Sequence, residues 1–212
     1  MHIVLPSGKQ IPLDLVPDSQ DYHILTNGIK RIRDVAGMIC EIGTYRGGSL
    51  QHIVTTLLQN QDLGRNMICI DPYGGILYSD TDTRVCRTDY TNPLKVQTQI
   101  AINLFLLDKP INVVFHCLED TEFFDRYQDY VPFYNENKIA EKEYALVFFD
   151  GPHSHKEVMT EVEFFHPRSA VGAVWVFDDL SHYNHDVVEQ WLFNNGWTLL
   201  EKGHKASYTN LV

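Results

Sequence analysis

Short apolar runs, each closed by a polar turn, recur along the chain and alternate with stretches whose apolar residues fall at helical spacing. The clearest is MICEI at 38–42, which breaks at Gly43, turns through Thr44-Tyr45-Arg46-Gly47-Gly48 and opens SLQHIVTTLLQ, an amphipathic helix. The same apolar pattern returns in MICID (67–71), INVVFH (111–116), YALVFFD (144–150) and GAVWVFDD (172–179). Between and after these runs, PLKVQTQIAINLFLL starts on a proline, GPHSHKEVMTEVEFFHP is closed by Pro167, and NHDVVEQWLFNNG ends on a glycine. All three are helix signatures. SQDYHILTNGIKRIRDVAG reads as an opening helix, residues 1–17 as a hairpin or extended arm, and WTLLEKGHKASYTNLV as two strands about a Lys-Gly turn. Strand–helix units repeated five times and closed by a hairpin predict an α/β domain: a doubly wound, mostly parallel sheet with an antiparallel C-terminal hairpin strand.

Two stretches interrupt this order. PYGGILYSDTDTRVCRTDYTN is too long for an ordinary connection, and VPFYNENKIAEKE is irregular and rich in aromatics. They predict lid insertions near 73–92 and 125–143 on a domain spanning 34–212, with 1–33 as an N-terminal arm and helix. The lids bring Tyr73, Tyr78, Arg84, Arg87, Tyr90, Phe133 and Tyr134, a set that suits a sugar or aryl acceptor, including one bearing an anion. Covering the sheet edge, or forming a homodimer contact, is the other reading of the same residues.

Composition removes several function classes. The chain has 212 residues and a formal charge of −11 with no Lys/Arg cluster, which argues against nucleic acid and anionic membranes as partners. Its apolar runs are short of a membrane span, and MHIVLPSGK has no signal-peptide pattern. Cys40, Cys69, Cys86 and Cys117 are scattered, with no C-x-x-C pair, as expected of reduced thiols in the cytoplasm.

In a sheet of this kind, ligands bind outside the carboxyl ends of the strands. The glycine order G-x-x-x-G-G differs from a dinucleotide fingerprint and lacks a P-loop lysine, so a nicotinamide oxidoreductase is disfavoured. Glu41, just before the turn, repels phosphate and suits a cationic ligand. Asp71, ending the next strand, either accepts from a ribose diol or caps the loop after it. Asp71, Asp150, Asp178 and Asp179 gather at one edge with no basic residue at the strand tips, a costly arrangement unless a cation sits among them. Asp150, Asp178 and Asp179 are oxygen donors of the kind Mg²⁺ takes. His153, three residues after Asp150, can accept a proton near neutral pH. His155, His182 and His185 leave open a zinc or iron site of His and Asp.

EIGTYRGGS, CIDPYGG, FFDGPHSH and VWVFDD, in that order, resemble the class I S-adenosylmethionine-dependent methyltransferases. Within these the chain resembles the metal-dependent O-methyltransferases of the catechol and macrocin types. The resemblance runs from about Asp34 to the C-terminus. It implies a Rossmann-like, seven-stranded sheet and the cofactors S-adenosylmethionine and Mg²⁺. It places Glu41, Gly43, Tyr45 and Ser49 around the methionine part of the donor, Asp71 on its ribose, and Cys117, Leu118 and Glu119 beside the adenine. It makes Asp150, Asp178 and Asp179 the metal ligands, with Asp150 also beside the cofactor, and His153 with Asp150 the catalytic groups. The implied reaction is methyl transfer to a hydroxyl of a small molecule. Pro152 stands where relatives carry an acidic residue, and Leu118 where they often carry a small polar one. The alternative is a methyltransferase-like fold that binds a nucleoside ligand or a partner without catalysing transfer.

Overall fold

The computed structural model describes residues 2–4, 6–89, 92–134 and 137–211. Seven strands form the central sheet: β1 (Met38–Ile42), β2 (Asn66–Ile70), β3 (Asn112–His116), β4 (Tyr144–Phe149), β5 (Ser169–Phe177), β6 (Trp197–Lys202) and β7 (Ala206–Asn210). Their spatial order is β3-β2-β1-β4-β5-β7-β6. β1 to β5 run parallel, and β7 is antiparallel to both β5 and β6. This is the expected doubly wound, mostly parallel sheet with an antiparallel C-terminal hairpin strand.

Period-two alternation divides each strand between two cores. From β1, Met38, Cys40 and Ile42 join one cluster, and Ile39 joins the other. The first cluster takes Phe123 and Phe124 from α4 (Asp120–Arg126), Val158 and Val162 from α5 (His155–Phe165), and Val188 and Leu192 from α6 (His185–Asn194). The second takes Ile24, Leu25 and Ile29 from α1 (Tyr22–Arg31), Ile53 and Leu57 from α2 (Gly48–Gln59), and Ile102 from α3 (Asn92–Leu106). Helix α1 thus packs into the same cluster as α2 and α3.

The two irregular stretches are hairpins. Gly75–Thr81 pairs antiparallel with Arg84–Asp89, and Val131–Tyr134 with Lys138–Glu141. They go to opposite ends of the sheet. The first covers the carboxyl edge. The second lies toward the amino edge, where Glu141 accepts from Asn66 Nδ2 at the start of β2. Val131 and Phe133 point into the aromatic core while Tyr134 is exposed, so this hairpin is a packed flap and not a lid over the ligand edge. At the N-terminus, His2–Val4 pairs with Gln10–Pro12, and the chain then crosses the glycine turn by a bridge between Val16 and Gly47.

Candidate active site

A cavity of about 310 Å³ opens at the carboxyl ends of β1, β2 and β4, between the sheet edge and the Gly75–Thr81 hairpin. Gly43, Asp71, Asp150 and Asp179 reach it from the strand ends, and Ile76, Leu77 and Tyr78 from the hairpin. The edge is held rigid because the ladder continues past the strands. Gly43 N–H donates to Ile70 O (2.9 Å), Asp71 N–H to His116 O (3.1 Å), Asp150 N–H to Ile42 O (3.0 Å) and Asp178 N–H to Phe149 O (3.0 Å).

The glycines of the turn serve the chain's own packing. Gly43 has φ +82° and presses on the Asp150 carbonyl so closely that no Cβ fits. A Cβ on Gly48 would strike Val16 and Pro17 of the N-terminal arm. The close approach at this turn is therefore between backbone segments.

On this half of the edge the carboxylates are held by hydrogen bonds. Asp71 Oδ2 accepts from Tyr45 N–H (2.8 Å) and Oδ1 from Tyr73 N–H (3.0 Å), which fixes both loops while Asp71 still faces the cavity. The loop-capping reading of Asp71 is realised, and it is compatible with a further acceptor role because each oxygen carries a second lone pair. Glu41 is wholly buried behind the turn, where its carboxyl accepts from Ser49 Oγ and from Cys69 Sγ (3.3 Å). Burial pushes its pKa up to about 7. Of the four residues expected around the methionine part, Gly43 and Tyr45 line the cavity, whereas Glu41 and Ser49 face each other beneath it. Of the three expected at the adenine, Glu119 lines the cavity as the N-cap of α4. Cys117 instead accepts from Gln99 Nε2 (3.3 Å), and Leu118 packs on the aromatic core.

On the β4–β5 half the balance is ionic. Asp178 Oδ2 is bound by the ammonium of Lys205, a residue with no exposed surface, and Asp178 Oδ1 accepts from Asp179 N–H (2.8 Å). The Lys205 ammonium also donates to Ser19 Oγ (2.5 Å) and lies 4.8 Å from the Tyr22 ring centre. The expectation of an edge without a basic residue is thus corrected. β7 is antiparallel, so it starts where its neighbours end, and the lysine just before it arrives among the carboxylates. Burial, and next the Asp178 charge, hold Asp150 well above the usual carboxylate range. Asp178, already satisfied by an ammonium, does not fit Mg²⁺, which needs anionic oxygens free to turn toward it.

His153 lines the cavity with Asp179 Oδ2 2.9 Å from its Nε2 and the Tyr78 hydroxyl 2.8 Å from its Nδ1. Its hydrogen bond to His153 is the main cause that lowers the Asp179 pKa. His182 Nδ1 lies 3.8 Å from the same Asp179 oxygen. His155 is tied to Asp82, and His185 is buried between Tyr183 and Tyr208, its pKa lowered to about 4 by burial. These two do not join a ligand cluster with His182.

The lid residues divide as sharply. Among the aromatic and arginine residues expected to select an acceptor, Tyr78 lines the cavity. Tyr73 is buried and donates to Tyr45 O (2.7 Å), Arg84 pairs with Asp80, and Arg87 is exposed. Tyr90 lies outside the described residues. Asp82, at the hairpin's tip, was not anticipated. It accepts from His155 N–H and Asn184 N–H (both 2.6 Å), so it latches the hairpin to the starts of α5 and α6. Asp18, Asp120 and Glu157 also line the cavity, and burial raises Asp18 and Asp120. Of the residues lining the cavity among those described, none is Lys or Arg.

A sheet in this order, with an acidic cavity and a buttressed histidine on its carboxyl edge, has the architecture of the Rossmann-like methyltransferases. A family model described as a methyltransferase domain matches residues 40–180, and the chain belongs to that family, whose class I enzymes use S-adenosylmethionine as methyl donor. No curated relative matches by sequence at a significant level. Among solved structures, the O-methyltransferase NovP is similar over 90% of this chain and 79% of its own, at 15% identity and a TM-score of 0.61. CalS11, a calicheamicin methyltransferase, matches 87% of this chain and 77% of its own at 15% identity and a TM-score of 0.56. TomG from Streptomyces achromogenes, an O-methyltransferase of tomaymycin synthesis in complex with S-adenosylmethionine, matches 93% and 82% at 13% identity and a TM-score of 0.55. Likeness at these identities speaks for the fold. Among the described residues, no helix is long and apolar enough to cross a membrane.

Proposed function

We propose that the chain transfers a methyl group to the hydroxyl of a small aryl acceptor, and that it does so without Mg²⁺. The observation that carries this is His153, held in the cavity wall between Asp179 and Tyr78. S-adenosylmethionine, when bound, supplies the methyl group on a sulfonium cation. A cavity lined by carboxylates and by no Lys or Arg among the described residues favours that positive charge. Asp71 accepts from the ribose, and Gly43 and Tyr45 border the methionine part.

His153 is the proton acceptor. Its Nε2–H donates to Asp179, which orients the ring and stabilises the imidazolium formed on proton uptake. Nδ1 then faces the Tyr78 hydroxyl at 2.8 Å, and the acceptor's hydroxyl takes that place when it enters. S-adenosylmethionine would supply the methyl group for the acceptor oxygen, and His153 Nδ1 takes the hydroxyl proton released. Most of the acceleration comes from holding oxygen and methyl group in line. Ile76, Leu77, Pro152 and Tyr78 offer an apolar wall that suits an aromatic ring. An anionic acceptor is disfavoured, since Arg84 and Arg87 do not line the cavity.

Labelled S-adenosylmethionine incubated with the chain, EDTA and a panel of phenols, catechols and sugars tests this. Labelled phenolic ethers formed in EDTA support the proposal. Transfer that requires added Mg²⁺, or that goes to sugars alone, contradicts it.

A further inference from the structure

His153 and Asp179, which serve proton transfer, form a second arrangement with His182, which proton transfer does not use. Their donor atoms all lie within 4.8 Å of one another. Asp179 Oδ2 is the centre of the group, 2.9 Å from His153 Nε2 and 3.8 Å from His182 Nδ1. The two imidazoles meet edge to face, with ring centres 5.1 Å apart at 74°. The backbone fixes all three. Asp179 sits at φ +50°, its carbonyl accepts from His182 N–H (2.8 Å), and His153 N–H donates to Ser79 O (2.8 Å). The carboxylate and His182 are therefore one turn apart on a strained loop, facing a histidine anchored to the hairpin.

We propose that these three side chains bind one borderline divalent cation of the zinc class, and that a bound ion blocks methyl transfer by claiming His153 Nε2. Two imidazoles and one carboxylate suit zinc and its transition-metal neighbours, whereas Mg²⁺ prefers oxygen. The Asp178–Lys205 ion pair stands apart from this set and is left intact.

Tyr78 lets His153 serve both uses. When Nε2–H donates to Asp179, the Tyr78 hydroxyl donates to Nδ1. The same hydroxyl lies 2.8 Å from Gly151 O, so it can turn its hydrogen to that carbonyl and accept from Nδ1–H instead. That tautomer exposes the Nε2 lone pair to a cation, with the other ring nitrogen held as metal-bound imidazoles usually are. The proton moves from Nε2 to Nδ1 through solvent, and His153 stays neutral. The ring cannot then present Nδ1 to an acceptor hydroxyl, so cation binding and proton transfer exclude one another. The inhibition rests on the methyl-transfer reading given above; the binding does not.

Calorimetric titration of the full chain with Zn²⁺, compared with His182→Ala, tests the site. His182 has a side chain 45% exposed, so its removal leaves the core alone. Expected is one zinc per chain, bound roughly tenfold or more weakly by the variant, not displaced by a large excess of Mg²⁺, with S-adenosylhomocysteine affinity equal in both proteins. Saturating zinc should also stop transfer in the wild type, and EDTA should restore it. Absence of zinc binding, equal binding by the variant, or displacement by Mg²⁺ overturns the proposal. Zinc binding that depends on His182, in a chain that transfers no methyl group, upholds the cation site and refutes the transferase reading alone.

Discussion

The two halves of the sheet's carboxyl edge solve the same problem by different chemistry. Around β1 and β2, Glu41 and Asp71 are surrounded by donors that carry no charge: a serine hydroxyl, a thiol and two backbone N–H groups. Around β4 and β5, Asp178 and Asp179 are matched by Lys205 and His153. The first half leaves Asp71 facing the cavity, with no cation of the protein's own beside it among the described residues. The second sets an ammonium against Asp178 and a histidine against Asp179, so that two of its three aspartates already have side-chain partners. A run of strand-terminal carboxylates is therefore insufficient to identify a metal centre; what decides is which charges the neighbouring strands bring to the same edge.

Each half can be broken separately. The largest effect falls on the ionic half. His153→Gln keeps a polar ring-sized group but no base, and steady-state kinetics should show kcat lower by about 10²–10⁴-fold, with S-adenosylhomocysteine affinity unchanged. Lys205→Met leaves Asp178 buried and unpaired, which should lower stability by about 3–5 kcal/mol in chemical denaturation. A loss under 1 kcal/mol would mean that the ion pair does not neutralise the edge.

The hydrogen-bonded half is probed through pH. Glu41 has its pKa raised from 4.5 to about 7 in the fold, so between these values the native state holds a proton that the unfolded chain has released. Its contribution is complete below about pH 4.5 and is lost as pH rises through about 7, a change of about 3 kcal/mol. Glu41→Gln should remove that loss, making the variant more stable than wild type at pH 8 and nearly equal to it at pH 4. The smallest effect belongs to the hairpin that spans both halves. Asp82→Ala unlatches its tip at a cost of about 1 kcal/mol and should raise the acceptor KM roughly fivefold with little change in the melting temperature.

Much of this was legible in the chain. The parallel strands announce themselves as apolar runs, and their terminal Asp71, Asp150, Asp178 and Asp179 necessarily meet at one edge once the sheet is parallel. Lys205 was missed because linear order places it after β6, far from those tips, and antiparallel pairing alone brings it back. The lid at 73–92 was expected as irregular, although ILYSDT and RVCRTD around Asp82-Thr83 carry a hairpin's alternation. Phe133 was misassigned for a related reason. In VPFY the first and third residues face the core, so an aromatic taken for a binding group is a packing group.

The most direct test of the account is calorimetric titration of S-adenosylhomocysteine into the full chain in EDTA, and again with Mg²⁺. Micromolar binding of equal affinity in both, abolished by Asp71→Ala and retained by Asp178→Asn, is the predicted result. No binding in either buffer, or binding that appears only with Mg²⁺, would contradict it.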